Sequence, residues 1–377
     1  MSSSLNSPTH AYISRKTEAV INLSHLKANY KNINDFAPNS TTIAVIKADA
    51  YGHGALVVAK ALESLAPILA VAFIDEAIKL RDAGIDKPIL ILEGPMSSCD
   101  IKKGIDNNFV LMFHSIEQVQ WLINYEEKVE GSDKHFNQNL WLKIDTGMHR
   151  LGFHPEQVDS IMSQIKSKLS PTNIVLCSHF SSADELENAK TTRQTEHLKQ
   201  IAKKHQCLMS IANSAGILSW PESHLDFNRL GLALYGATPI EKKSLPFDLH
   251  AVMTLTSSVI ALREVSVGDS VGYGETWIAK RPSVIATVAI GYADGYPRNA
   301  PMNTPTFING SIAPIAGRVS MDMITVDVTD VADVKIGSRV ELWGKHLSVE
   351  TIAEHVQAIN YELITRVSDR VPRVYIS

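Results

Sequence analysis

Eight short apolar runs, each followed by a helical stretch, constrain this chain more than any other feature. Strands are expected at Ile43–Lys47, Ile68–Phe73, Pro88–Leu92, Phe109–Phe113, Leu140–Asp145, Ile174–His179 and Leu208–Ala212, with a short eighth near Phe227–Arg229. Runs that are almost continuously apolar belong to strands buried on both faces, as in a parallel sheet. Eight such units favour a closed (β/α)8 TIM-type barrel over an open doubly wound sheet. Neither a G-x-G-x-x-G nor a P-loop is present to support a nucleotide fold. The chain has 377 residues, more than a barrel of about 250 requires. After about Pro246 the texture changes. From Val252 to Leu342 short alternating runs are punctuated at Gly268-Asp269, Asn309-Gly310 and Gly337. Asn-Gly between apolar runs is a strong hairpin signal. The fold class is therefore α/β: a barrel over residues 1–245, followed by a mainly-β domain over 246–377.

Smaller expectations complete the outline. Residues 1–16 read as a loose lead-in, and residues before about 24 could pack with the β-domain. Glu18–Leu23 reads as a strand, with Ser24 as N-cap of a helix through Tyr30. Ile240–Leu249 reads as a hinge, and Val349–Gln357 as a helix.

Composition excludes several functions. The balance of 36 basic and 40 acidic residues gives a net charge of −4, with no electrostatic reason to expect nucleic acid or an anionic membrane as partner. Cys99, Cys177 and Cys207 are widely spaced, which suggests a reducing compartment and no disulfide framework. No metal is called for. The opening MSSSLNSPTHAYISRK has no apolar signal core, and the apolar stretch Leu65–Ile74 is broken by Pro67. A cytoplasmic location is expected.

The candidate chemistry lies at strand ends. Lys47 closes the first apolar run and leads through Tyr51 into Gly52-His53-Gly54. An amine on a barrel rim can form a Schiff base with an aldehyde cofactor; an interior lysine can also simply snorkel to the surface. Lys143, Asp145, Arg150, His179, Asn213, Ser214, Arg229 and Gly231 share that rim. Each has a structural alternative: Lys143 pairing with Asp145, His179 as a satisfied core histidine, Arg229 as an ion-pair partner. Ser214 can supply a hydroxyl to a phosphate, Gly231 and Leu232 backbone N–H groups, and Tyr51 a phenol. In the β-domain, Tyr273 stands between two glycines in VGYGETW. GYADGYPR (291–298) and AGRVSMDM (316–323) are rich in groups that could face a ligand.

From about Glu18 to Arg373 the chain resembles the alanine racemase family. AVIKADAYGHG, LKIDTGMHRLG, SHF-x-x-AD, NSAG, RLGLALYG, VGYGETW, GYADGYPR and RVSMD follow one another in the family's order. The resemblance implies a barrel plus a β-domain, pyridoxal 5'-phosphate as cofactor and a small amino acid as substrate. It further implies a head-to-tail homodimer with shared active sites. By resemblance, Lys47 holds the cofactor as an aldimine and then acts on one face of the α-carbon, while Tyr273 of the other subunit acts on the opposite face. Tyr51, Ser214, Gly231 and Leu232 would hold the phosphate, with Asn213 beside them. Arg229 would face the pyridine nitrogen and His179 would link it to Tyr273. Arg150 and the Met321 backbone would hold the substrate carboxylate. Lys143 matches a lysine that some members carry as a carbamate. Tyr292 would line the access channel and Asp322 would sit near Tyr273. Two positions depart from the common pattern: Asp369, where many members have Tyr, and Ser320, where Cys is common.

Racemisation takes a proton from one face of the α-carbon and returns one to the other, so two positioned groups are expected. Lysine and tyrosine both ordinarily titrate near 10, and bringing either to neutrality takes roughly 4 kcal/mol. Burial helps a lysine and hinders a tyrosine, so the expectation is a positive network through His179 and Arg229 favouring the phenolate. The expected function is interconversion of L- and D-alanine, supplying D-alanine for peptidoglycan. A racemase of serine or of broader specificity shares nearly all these parts. A non-catalytic pyridoxal-phosphate carrier would not need Tyr273, and a decarboxylase on the same architecture usually offers an acid or thiol where this chain has G-Y-G.

Overall fold

The computed structural model describes residues 15–128, 139–240 and 245–377. Most of the expected lead-in, and residues 241–244 of the expected hinge, lie outside them. The chain divides into two compact units: Asn22–Val252 with the last two residues, and the described residues through Ile21 with Met253–Tyr375.

The first unit is a closed parallel barrel. Its strands are β2 (Thr41–Val45), β3 (Leu69–Val71), β4 (Ile89–Ile91), β5 (Phe109–Phe113), β6 (Leu140–Lys143), β7 (Ile174–Cys177), β8 (Leu208–Ser210) and β9 (Phe227–Leu230). The closing pair sets Ile43 of β2 beside Arg229 of β9. Nearly every strand residue is buried, because the barrel interior covers one face and helices the other. Those helices include α1 (Leu23–Phe36), α3 (Ala55–Leu62), α4 (Ile74–Asp82), α5 (Ser98–Asp106), α6 (Ile116–Lys128), α7 (Val158–Lys168) and α8 (Lys190–His205), and the short α9 (Ser214–Ser219). Between β2 and α3 lies α2 (Lys47–Gly52), which is not a right-handed helix.

One local expectation is corrected. The cap of α1 is Asn22, whose side chain accepts the His25 N–H at 3.0 Å, so the helix begins at Leu23 and runs to Phe36. An asparagine caps at least as well as a serine, and this one places Leu23 inside the helix. Just beyond the expected hinge the chain is tied back to the barrel. Asn29 accepts the His250 N–H and donates to the carbonyls of Leu234 and His250, while His25 bonds the Ala251 carbonyl at 2.9 Å. The exit strap is thereby fastened to α1.

The second unit contains β1 (Glu18–Asn22), which precedes the barrel in sequence but pairs antiparallel with β10 (Met253–Val265). Then follow β11 (Ser270–Val271), β12 (Trp277–Ile278), β13 (Ser283–Val288), β14 (Pro305–Ile308), β15 (Ser311–Pro314), β16 (Ile324–Asp327), β17 (Arg339–Trp343), α10 (Val349–Val356), α11 (Asn360–Thr365) and β18 (Arg373–Ile376). The sheet order is β15-β14-β17-β10-β1-β18, with β13 pairing on β10 and β16 on β13. Asn309-Gly310 makes the hairpin between β14 and β15. No helix among the described residues is long and apolar enough to cross a membrane.

Candidate active site

The carboxyl ends of the barrel strands carry the charged side chains. Lys47 stands two residues past the end of β2 and opens α2. Ala48, Asp49, Ala50 and Tyr51 all have φ between 52° and 54°, a full left-handed turn without glycine. Each such residue costs about 1–2 kcal/mol relative to the right-handed form, so the turn persists only because its surroundings hold it. At its start, Glu76 of α4 accepts the Ala48 N–H at 2.7 Å. At its end, the His53 ring bonds the carbonyls of Ala50 and Tyr51 through Nδ1, at 3.1 and 2.9 Å. Carbonyls only accept, so that nitrogen carries the proton. His53 packs on Tyr235, which stacks on Tyr51 and donates its hydroxyl to the Val45 carbonyl.

Tyr51 is thereby aimed at the ends of β8 and β9. Ser214 Oγ accepts the N–H groups of Gly231 and Ala233, at 3.1 and 3.2 Å. A hydroxyl that accepts twice still has its own proton to donate. A Cβ at Gly231 would lie 2.7 Å from the Tyr51 hydroxyl and 3.9 Å from Ser214 Oγ. The missing side chain leaves a space edged by two hydroxyls at the start of the turn Leu232–Tyr235. That donor set fits a phosphate. Asn213 caps α9 through the Gly216 N–H.

Arg229, only 5 % exposed, anchors the rim. Its guanidinium donates to Ser210 Oγ at 2.6 Å, to the Ser178 and Ile211 carbonyls, and to His179 Nδ1 at 3.2 Å. No carboxylate among the described residues pairs with it, so the ion-pair alternative is set aside. Because arginine has no acceptor, His179 Nδ1 must offer a lone pair and Nε2 must bear the hydrogen. Burial, and then the charges of Arg229, Lys143, Arg150 and Lys47, hold His179 well below the ordinary histidine range. Both effects favour the neutral imidazole, so in the expected network through His179 and Arg229 the histidine serves as acceptor to the guanidinium.

Register places Lys143, Cys177 and Ser210 side by side on β6, β7 and β8. Burial lowers the Lys143 amine, with Arg229 and Arg150 adding to the effect and Cys177 and Glu93 opposing it. Lys143 does not pair with Asp145. That carboxylate accepts the N–H groups of Gly147, Met148 and His149 and shapes the turn leading to the exposed Arg150. The sequence reading passed over Glu93 and His114, which end the apolar runs of β4 and β5; a polar break after such a run was the available signal. Burial and the Lys143 charge lower His114.

The second unit holds the remaining candidates. Tyr273 is 71 % exposed, and both flanking glycines have positive φ, 80° at Gly272 and 72° at Gly274. Met321 is also exposed, in a turn closed by the Ser320 N–H on the Met323 carbonyl. The Tyr292 and Ala293 N–H groups donate to the carbonyls of Ser320 and Met321, tying the two Gly/Asp-rich loops together. Asp322 pairs with Arg370 at 2.8 Å. Arg370 also approaches the buried Asp294, which Arg15 clamps.

A rim lysine on a strained turn, near a cradle for an anion, defines an enzyme that works through an aldehyde cofactor with a phosphate tail. Comparison with known proteins narrows that class. Residues 21–239 match the alanine racemase N-terminal domain family and residues 252–375 the C-terminal domain family. An alanine racemase of Alteromonas mediterranea is 42% identical over 362 residues, covering 96% of this chain and 99% of that protein. The crystal structure of the biosynthetic alanine racemase from Pseudomonas aeruginosa superposes with a TM-score of 0.90 at 40% identity, over 96% of this chain and 100% of that one. That of Bartonella henselae, with covalently bound pyridoxal phosphate, gives 0.86 at 30% identity, over 96% and 99%. This chain belongs to the alanine racemase family, whose members are pyridoxal-phosphate-dependent isomerases.

Proposed function

We propose that the chain interconverts L-alanine and D-alanine with pyridoxal 5'-phosphate, and so supplies D-alanine for peptidoglycan. The observation that most supports this is the cradle at Gly231. A space edged by the Tyr51 and Ser214 hydroxyls, beside a strained turn bearing Lys47, suits a phosphate tail and an aldehyde together. Lys47 holds the cofactor covalently. Tyr51, Ser214 and the backbone at Gly231 and Leu232 would hold its phosphate, with Asn213 fixing α9 beside them, and Arg229 would serve its ring nitrogen. When bound, the cofactor supplies a sink for the electron pair left at the α-carbon as its proton departs. Arg229 is a hydrogen-bond donor with no acceptor, and beside the ring nitrogen it would offer a hydrogen bond rather than an acid, which would keep the electron withdrawal shallow.

Lys47 Nζ moves the proton on one face of the α-carbon, and Tyr273 Oη on the other. Neutral His179 keeps its hydrogen on Nε2, which can donate to the phenolic oxygen and favour the phenolate. Arg150 and the Met321 N–H orient the substrate carboxylate. Tyr292 lines the approach, and Asp322, held by Arg370, steadies the Met321 turn. Burial raises the neutral fraction of Lys143, the form that adds carbon dioxide, and the resulting carbamate would hold Arg150. A lysine carbamate would give a carbonyl signal with labelled carbon dioxide; its absence would remove that support from Arg150. Tyr273 comes from a second copy of the chain, in a head-to-tail homodimer working in the cytoplasm.

The test is incubation with pyridoxal phosphate and L-alanine in heavy water, following α-proton exchange and D-alanine together. Both should rise. Exchange without inversion would remove Tyr273 from the scheme, and inversion of serine but not alanine would reassign the substrate. Mixing Lys47→Ala with Tyr273→Phe protein should restore part of the activity in mixed dimers. Verified mixed dimers without activity would sink the shared site.

A further inference from the structure

The left-handed turn of α2 is held at its start by one side chain, and that side chain belongs to another loop. Glu76 stands at the third position of α4. One carboxylate oxygen accepts the Ala72 and Phe73 N–H groups, at 2.8 and 3.2 Å. Those bonds are ordinary capping of a helix by an acid three residues in. The other oxygen accepts the Ala48 N–H at 2.7 Å. Ala48 is the first residue with positive φ and the immediate neighbour of Lys47. The carboxylate therefore bridges the loop after β2 to the loop after β3.

The neighbouring helix shows what capping alone looks like. Asp100, at the third position of α5, accepts the N–H groups of Met96 and Ser97, both at 3.0 Å. It makes no bond to α2. Stability of the helix start needs only the bonds that Asp100 also makes; the bond to Ala48 is extra. It lies at the point where a change in φ would swing the Lys47 side chain to a new direction.

We infer that Glu76 is a positioning residue for the Lys47 amine, fixing α2 in its left-handed form so that the amine faces the cofactor. The inference rests on the reading that Lys47 carries pyridoxal phosphate. In Glu76→Gln only one amide oxygen accepts, so the bond to Ala48 or the pair to Ala72 and Phe73 must be lost.

The experiment compares Glu76→Gln with Asp100→Asn. In cofactor-free protein, exchange of the Ala48 amide should quicken about tenfold in Glu76→Gln, the size expected for one lost charge-assisted hydrogen bond, and stay unchanged in Asp100→Asn. With pyridoxal phosphate added, Glu76→Gln should bind it about tenfold more weakly and shift the pH at which the visible lysine-linked band titrates, with kcat falling more than KM rises. Asp100→Asn should lower thermal stability and leave the band alone. If Glu76→Ala, which can keep neither set of bonds, loses stability as Asp100→Asn does while the band stays as in the parent, Glu76 is a cap and nothing more. If the parent protein forms no lysine-linked band, the assignment of Lys47 has failed, a result the comparison keeps separate.

Discussion

Arg229 and Tyr273 take part in the same proposed reaction, yet the molecule treats them in opposite ways. Arg229 is buried, and its guanidinium is satisfied by Ser178, His179, Ser210 and Ile211 within its own unit. Tyr273 stands 71 % exposed between two glycines, presented by backbone geometry alone. The barrel rim therefore builds and tunes its half of the chemistry within one unit, before any ligand arrives. The tyrosine is left uncovered, which suits the proposed shared site, where a second copy of the chain would enclose it. One half of the chemistry is coupled to folding and the other is not, and that difference can be measured.

The largest effect expected is in Tyr273→Phe. Removing a group that moves a proton should cost roughly 10²- to 10⁴-fold in rate, and isotope exchange starting from one enantiomer should suffer more than from the other. The denaturation midpoint should stay put, since an exposed hydroxyl adds little to stability, within about 0.5 kcal/mol. Equal loss from both enantiomers would remove Tyr273 from a one-faced role. A clear loss of stability would break the contrast with the rim.

Arg229→Ala should show the reverse. It leaves two carbonyls and a serine hydroxyl without their donor in a buried place, and hydrogen bonds to a charged group are worth about 1.5–3 kcal/mol each. A loss of about 3 kcal/mol is expected in cofactor-free protein, read by urea unfolding. A midpoint unmoved without cofactor would mean that Arg229 is held by the ligand rather than by the fold.

A smaller and more local effect is expected from Gly231→Ala. The new Cβ would press on the Tyr51 hydroxyl at 2.7 Å, so either the phenol or the phosphate must give way. Affinity for pyridoxal phosphate should fall about tenfold, near 1.4 kcal/mol, while affinity for pyridoxal, which lacks the phosphate, changes less. Parallel losses for both ligands would move the phosphate site elsewhere.

The contrast also explains how much could be read beforehand. The barrel was legible because strands buried on both faces become apolar runs, and β5 falls on Phe109–Phe113 as expected. Lys143, His179 and Arg229 were legible because a polar residue closing such a run must have a reason to be there. The left-handed turn was not. Ala48 to Tyr51 contain no glycine to announce positive φ, and Gly52 and Gly54, which do take it, announced only the end of the turn. Glu76 was hidden for a related reason, since an acid in the first turn of a helix is ordinary; its bond to Ala48 exists only once two loops are folded together. The protonation of His179 was equally out of reach, because it depends on burial first and then on charges brought together by the barrel, rather than on neighbours in sequence.

That protonation gives the smallest effect and the sharpest test of the rim. His179 is held well below the ordinary histidine range by burial first, then by Arg229, Lys143, Arg150 and Lys47. In the unfolded chain it titrates near 6.5. Between its folded value and about 6.5, the unfolded state binds more protons than the native one, so stability rises with pH. Above about 6.5 this residue contributes no slope. Acidification from neutrality should therefore destabilise the protein, by up to about 1.4 kcal/mol per pH unit from this group. Other histidines add slopes of their own, so the useful quantity is a difference between two proteins. His179→Asn keeps an oxygen near the place of Nδ1, able to accept from Arg229, and cannot take up a proton. Its urea midpoint should match the parent's at pH 7.5 more closely than His179→Leu does, and should fall less between pH 6.5 and 5. Parallel curves for parent and His179→Asn would mean that the imidazole binds its proton equally in both states. The Nε2–H tautomer would then lose its basis, and with it the neutral contact proposed for Tyr273.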